Sequence, residues 1–132
     1  MDALSDDQKP TKIYIAQPMA GLDRTEILNT RLCIEKMFSR ENNAYFLNSY
    51  NPEWENIHPI EAIAKSLEIL KDADLVVFFD KCWESSRGCR IEQLCCDLYD
   101  IPWTTVSKRD ILTYLLSSED FYDFLKAGDG HE

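Results

Sequence analysis

The stretch SSRGCRIEQLCCDLYDIPW, residues 85–103, opens with two hydroxyls, two guanidinium groups, a glycine and a carboxylate before a helical pattern takes over. With a helix starting near Gly88, Glu92 falls in or just beyond the first turn, where the partial positive charge of the helix end favours an ionised carboxylate. A carboxylate held ionised there can attack or shield a positive centre. Ser85 and Ser86 stand where hydroxyls cap a helix, and Arg87, Gly88 and Arg90 add two cations and a close-approach glycine at the same end. Hydroxyls, guanidinium and free amides together suit a phosphate. Trp83 offers a flat face on which a base can stack, and Tyr14 sits in a strand-like run whose end reaches the same crevice. The constellation fits a nucleotide. Every member also has a plain structural role: a charge at the helix dipole for Glu92, a cap for the serines, and a solvated face pairing with Glu84 or Glu92 for the arginines. Core packing would serve for Tyr14 and a surface hydrophobe for Trp83.

The rest of the chain must position these groups. KIYIA, residues 12–16, is a β-branched and aromatic run that predicts a first strand, and QPMAGLDR after it, with Pro18 and Gly21, predicts a loop. From Thr25 to about Ser39 the residues Ile27, Leu28, Leu32, Ile34, Met37 and Phe38 recur at helical spacings. AYFL, residues 44–47, is a short second strand, and NSYNPEWENIHP is an irregular connection rich in Asn, Ser and Pro. Ile60, Ile63, Leu67 and Leu70 give a helix from Pro59 to Lys71, and the continuous apolar run DLVVFF, residues 74–79, reads as a parallel strand covered on both faces. Ile91, Leu94, Cys95 and Leu98 predict the buried stripe of the next helix, and PWTTV, residues 102–106, a fourth strand. Residues 109–127 predict one or two closing helices, and residues 1–11 and 127–132 are expected to be flexible.

Strands alternating with helices in the order βαβαβαβ predict one α/β domain over residues 1–132. The expected architecture is a three-layer flavodoxin- or Rossmann-like sandwich with a central parallel sheet of four to five strands joined by right-handed crossovers. In such sheets ligands bind outside the carboxyl ends of the strands. This selects three loops. They carry Gln17, Met19 and Gly21 after the first strand, Asn48 and His58 after the second, and Asp80 with the 83–90 segment after the third.

Composition closes off other classes. A formal charge of −10 repels nucleic-acid backbones and anionic membranes, so neither a polynucleotide nor a membrane surface is an expected partner. No apolar run approaches the roughly 18 residues of a membrane span, and the acidic opening MDALSDDQKPT is unlike a secretory signal, which predicts a cytoplasmic protein. Cys33, Cys82, Cys89, Cys95 and Cys96 form neither a CxxC pair nor a zinc spacing with the two histidines, so they read as reduced thiols and no metal site is expected. Neither a GxxxxGK loop nor a GxGxxG turn is present, and no cofactor is called for.

KIYIAQPMAG and ADLVVFFDKCWESSRGCRIEQLCCDLYDIP resemble the nucleoside 2-deoxyribosyltransferase superfamily, and especially a small branch found in bacterial and phage genomes. The resemblance spans most of residues 12–106. It implies a strand-borne tyrosine hydroxyl beside a glutamate that attacks the anomeric carbon of a deoxyribose, the places held here by Tyr14 and Glu92. The classical transferases carry an aspartate six residues before that glutamate, whereas the related deoxynucleoside monophosphate hydrolases carry a serine that helps hold the 5′-phosphate. This chain has Ser86 there, which points to a phosphorylated ligand, and Arg87 and Arg90 agree with it. The superfamily commonly takes its general acid from an aspartate eight residues before the AD that opens the third strand, and this chain has Ser66. A serine is a poor acid near neutrality. Asp80, at the carboxyl end of the third strand, is the best-placed substitute, with His58 and Glu84 as alternatives, while Asp74 at the opposite end of that strand reads as structural. The resemblance further implies a homo-oligomer, and the FYDFL segment near the carboxyl end offers an apolar surface for it.

Three readings follow. The first is a nucleotide N-glycosidase or deoxyribosyltransferase acting through Glu92. The second is a binding protein that kept the pocket and lost the chemistry, which Ser66 favours. The third is a flavodoxin-like interaction domain with a vestigial crevice.

Overall fold

The computed structural model describes residues 9–19, 22–39 and 43–117. Strand β1 spans Thr11–Ala16, helix α1 Arg24–Ser39, β2 Ala44–Phe46, α2 Pro59–Leu70, β3 Leu75–Phe79, α3 Arg87–Leu98, β4 Trp103–Val106 and α4 Lys108–Ser117. Every strand pair is parallel and the order is β2-β1-β3-β4, with Ile13 opposite Leu75, Ala16 opposite Phe78 and Val77 opposite Thr104. This is the expected parallel α/β fold, with four strands among the described residues. Thr11, expected in a flexible lead, is instead strand, paired with Ala44 because its amide donates to the Asn43 carbonyl at 2.7 Å.

Side chains alternate across the pleat and build two cores. Ile13 and Ile15 of β1, Val77 of β3 and Val106 of β4 pack with Ile34 of α1, with Met37, Phe38 and Ile111 at the margin. Tyr14 and Ala16 of β1 and Val76 and Phe78 of β3 pack with Leu70 of α2 and Cys89 and Cys96 of α3. Ile13, Ile15, Val76, Val77 and Phe78 are fully sequestered, each contributing roughly 2 kcal/mol of apolar burial. Asp74 ties the amino edge of the sheet, accepting from the Lys12 amide at 2.8 Å and donating its own amide to the Lys12 carbonyl at 2.7 Å.

Two helices present faces other than those the apolar spacing predicts. On α1 the buried positions are Ile27, Arg31 and Ile34, while Leu28 and Leu32 are exposed. On α3 they are Cys89, Glu92 and Cys96, while Ile91, Leu94 and Leu98 face outward. Spacings of i, i+3 or i+4 and i+7 are kept in both, but polar and thiol side chains occupy the inward positions. The reason lies in their partners: Arg31 and Glu92 both find buried hydrogen-bond partners on other elements, and the Cys89 and Cys96 thiols pack with β1 and β3 in one core.

With β2 on one side of β1 and β3 with β4 on the other, the chain reverses its direction of growth between β1 and β3. The crevice at their carboxyl ends is the natural ligand position of such a sheet. No helix among the described residues is long and apolar enough to cross a membrane. FYDFL, residues 121–125, the helix expected beyond residue 117, and the terminal AGDGHE lie outside the described residues.

Candidate functional site

Tyr14 points from β1 to the face covered by α2 and α3, because its neighbours Ile13 and Ile15 occupy the other core. Glu92 reaches the same point from the inward stripe of α3, and the Tyr14 hydroxyl donates a hydrogen bond to Glu92 Oε2. Both are buried, at 2% and 5% exposure, so this is a carboxyl group paired with a phenol in a medium of low polarity. Burial pushes the Glu92 carboxyl up to about 7, and the hydrogen bond from Tyr14 pulls in the opposite direction without overcoming it. The expectation of a carboxylate held ionised by the helix end is thereby corrected. Glu92 is the sixth residue of α3, past the first turn where the dipole acts, and desolvation dominates. Burial, then the proximity of Glu92, also holds the Tyr14 hydroxyl well above its ordinary value.

At the start of α3, Ser86 is the N-cap, its hydroxyl accepting from the Cys89 amide at 3.3 Å. Ser85 does not cap α3; it closes the short 3-10 turn Cys82–Glu84, donating its amide to the Cys82 carbonyl at 3.2 Å. Arg87 and Arg90 are exposed, and neither forms an ion pair among the described residues, where the side-chain ion pairs are Arg31–Glu35 and Lys71–Glu68. A methyl group built at Gly88 would stand 3.7 Å from Ile63 Cδ1 and 3.9 Å from Ser86 Oγ, ordinary contacts that packing tolerates. Gly88→Ala is therefore expected to raise stability by about 0.5 kcal/mol through helix propensity, measured by urea denaturation, while losing affinity for any ligand that approaches this backbone. Trp83, half-buried, meets Phe78 edge-on at 5.7 Å between ring centres and Trp103 at 5.5 Å, forming an aromatic trio against β3 and β4.

A cavity of about 810 Å³ opens at the carboxyl ends of β1 and β3, and Gln17, Asp80 and Ser85 line it together with Lys81, Cys82 and Lys108. Neither Tyr14 nor Glu92 lines it; Cys82 does, and its thiol, raised by Cys89 and by burial and to a lesser degree by Glu92, packs in the same core as Tyr14. Asp80 adopts φ 55°, the left-handed region that Asp tolerates better than most residues, and donates its amide to the Val106 carbonyl at 2.6 Å. Gln17 Nε2 donates to the Ile27 carbonyl at 3.1 Å, which fastens the loop after β1 to α1. Gln17 Oε1 and the Tyr50 hydroxyl are buried with no hydrogen-bond partner among the described residues. Met19 is half-buried, Asn48 is exposed, and Gly21 lies outside the described residues. His58 is exposed and serves as the N-cap of α2, its Nδ1 accepting from the Ile60 amide at 3.0 Å.

Three residues that carry this region escape the apolar pattern. Arg31 donates to Ser49 Oγ at 2.7 Å and to the Leu47 carbonyl at 2.7 Å, and Ser49 passes a bond on to the Ile15 carbonyl at 2.9 Å. The loop after β2 is thus clamped to the end of β1 beside Tyr14. Ser66, half-buried on α2, lies near enough to Tyr14 for its hydroxyl to pull the phenol's pKa down against the larger effects of burial and Glu92. The signal available in the sequence was phase: Arg31 falls four residues after Ile27 and three before Ile34, and Ser66 falls between Ile63 and Leu70. Among the described residues no group of three or more His, Cys, Asp or Glu side chains is placed to hold a metal ion. Comparison of the chain with protein-family models, with curated proteins and with solved structures returns no match.

Proposed function

We propose that the chain binds a nucleoside 5′-monophosphate at the carboxyl ends of β1 and β3 and breaks its base–sugar bond, by hydrolysis or by transfer to a second base. The observation that carries this reading is the buried Tyr14–Glu92 pair, which joins α3 to β1, one of the two strands between which the sheet order reverses. Loss of the base builds positive charge on the sugar ring, and a carboxylate on the opposite face can trap it as a glycosyl ester. Glu92 is the nucleophile in this scheme and Tyr14 orients it. Two exposed arginines with no ion pair among the described residues, and a glycine that packing does not require, stand at the amino end of α3, where a phosphate would lie. The Gln17 amide oxygen and the Tyr50 hydroxyl, on the loops after β1 and β2 and without a hydrogen-bond partner among the described residues, supply unused acceptor and donor capacity. The ligand class and the likeness to the deoxyribosyltransferase superfamily both rest on these residues.

A glutamate must be ionised to attack, so turnover is expected to rise with pH through about 7 and then level off. The test is chromatography with mass detection of the protein incubated with pooled ribo- and deoxynucleosides and their 5′-monophosphates, with and without a free acceptor base, alongside Glu92→Gln. Base release or exchange that disappears in the variant supports the enzyme reading and names the substrate. A second reading, a nucleotide receptor without turnover, is favoured by the absence of Glu92 from the cavity wall and by the hydroxyl of Ser66 where an acid would help. It predicts a retained nucleotide and no product. Neither retention nor product would overturn both.

A further inference from the structure

We propose that the outer face of α3 is a docking surface for a second copy of this chain, the two α3 helices packing antiparallel about a two-fold axis near Leu94. The proposal goes beyond the reading of the site and does not depend on it.

The sequence turns α3 inside out. A helix advances about 100° per residue, so Cys89, Glu92 and Cys96 share one side of α3 and Ile91, Leu94 and Leu98 the opposite one. The hydrogen bond from Tyr14 to Glu92 and the packing of the two thiols fix the first side against the sheet. The second side therefore meets solvent: Ile91, Leu94 and Leu98 are 39%, 45% and 76% exposed. Spacings of three and four residues make them a seam of the kind that a facing helix covers. Large exposed apolar residues on α1 and α4 come only in pairs, Leu28 with Leu32 and Leu112 with Leu116.

The charges beside the seam point to the occupant. Arg90 and Asp97 stand seven residues apart on the same edge of it, the cation toward the amino end and the anion toward the carboxyl end. A two-fold axis near Leu94 sets the amino half of one seam against the carboxyl half of the other. Ile91 then packs toward the leucines of the second copy, Arg90 meets Asp97 of the second copy, and symmetry repeats the ion pair. A parallel arrangement would set like charges at the same height. Asp97 is held on that edge by bonds accepted from Gln93 Nε2 and Trp103 Nε1, each at 2.9 Å, and a carboxylate keeps lone pairs for a guanidinium besides. Arg90 is exposed and has no ion pair among the described residues. A basic partner would bring its cations onto Arg87 and Arg90, and an acidic one would meet Asp97 on a chain of formal charge −10. A face carrying both signs in this order suits its own copy. Arg87 falls at the rim of the contact, where it stays open to an anion. Twelve helical residues span about 18 Å, which is short of the roughly 800 Å² per partner of a stable interface, so the pairing is reversible.

Sedimentation velocity of the full chain from about 5 to 300 µM, a range suited to reversible contacts of this size, reads the association. The wild type is expected to pass from monomer to dimer across it. Leu94→Arg should weaken dimerisation about 100-fold and Arg90→Asp about tenfold, while Arg90→Lys and, on α4, Leu112→Arg leave it within about twofold of the wild type. Arg90→Asp combined with Asp97→Arg restores an opposed pair and should recover most of the loss. Circular dichroism checks the fold of each variant. A wild type that stays monomeric throughout, a dimer that survives Leu94→Arg, or an equal loss in Leu112→Arg would overturn the proposal. Failure of the double variant to recover, with its fold intact, would overturn the antiparallel pairing. Nucleotide retention and base release play no part in the readout, so a failure of the site reading leaves this result standing.

Discussion

Glu92→Gln is expected to flatten the dependence of stability on pH between about 4.5 and 7, and to leave the variant more stable than the wild type at pH 8. In the unfolded chain the carboxyl titrates near 4.5, and in the folded chain burial raises it to about 7. Across that interval the native state holds the proton that the unfolded state has released. Stability therefore falls as pH rises. The contribution is fully present below pH 4.5 and lost above 7, and an interval of about 2.5 units corresponds to about 3 kcal/mol. A glutamine has nearly the shape of a protonated glutamate and accepts the same bond from Tyr14, so it does not titrate and should carry no such slope. Urea denaturation of both proteins at half-unit steps from pH 4.5 to 8 measures the difference. The other carboxylates are common to the two chains and cancel. Curves that stay parallel throughout would show that Glu92 is not buried as a titrating group.

A group that lowers stability at neutral pH calls for another reason to be kept. Marginal domains hold only 5–15 kcal/mol in total, and about 3 kcal/mol is a large part of that. Buried carboxyls shifted toward neutrality collect at sites where charge is needed for chemistry or recognition. The Tyr14–Glu92 pair has that character, whereas Asp74 and Asp110 bond backbone amides at strand and helix ends.

The order of elements was legible because apolar runs and turn residues mark them locally. DLVVFF reads as a covered strand, and Leu75–Phe79 is one; Pro59 reads as a first helical residue, and α2 starts there. Faces were less legible. The apolar stripe of α3 reads as its inward face, yet Ile91, Leu94 and Leu98 are exposed, because the inward positions were decided by Tyr14, 78 residues before Glu92. Spacing arguments see i+3 and i+4 partners and not partners on another strand. The same limit hid the aromatic trio that Trp83 joins, since Phe78 and Trp103 meet it only after β3 and β4 pair. Within the candidate site, residue types were readable and their division of labour was not: Ser86 is spent on a helix cap, His58 on another, and Ser85 faces the cavity.

Arg31→Met is expected to lower stability by about 3 kcal/mol, seen as a fall in the urea midpoint with an unchanged slope. Methionine fills much of the volume and keeps helix propensity, so the loss reports hydrogen bonds rather than a cavity. Arg31 is buried, and burial lowers its guanidinium from its ordinary value while Glu35, 3.3 Å away, supports the charge. Removing it leaves the Leu47 carbonyl and Ser49 without their donor in a region where water does not easily replace it. Arg31→Lys should recover only part of the loss, because one ammonium cannot serve two acceptors in the fixed fork that a guanidinium offers. The exposed pair Lys71–Glu68 is the control, and Lys71→Ala should leave the midpoint unchanged. The consequence reaches the site because Ser49 holds the Ile15 carbonyl, one residue beyond Tyr14. With Arg31 gone, the loop after β2 loses its tie to α1 and is held to β1 only by the Ser49 bond to the Ile15 carbonyl and the Leu47 amide's bond to the Ile13 carbonyl, so Tyr14 loses part of the rigid frame from which it meets Glu92. Arg31→Met should thus weaken nucleotide retention or turnover even at low temperature, where most of the protein is still folded, while Lys71→Ala leaves both intact.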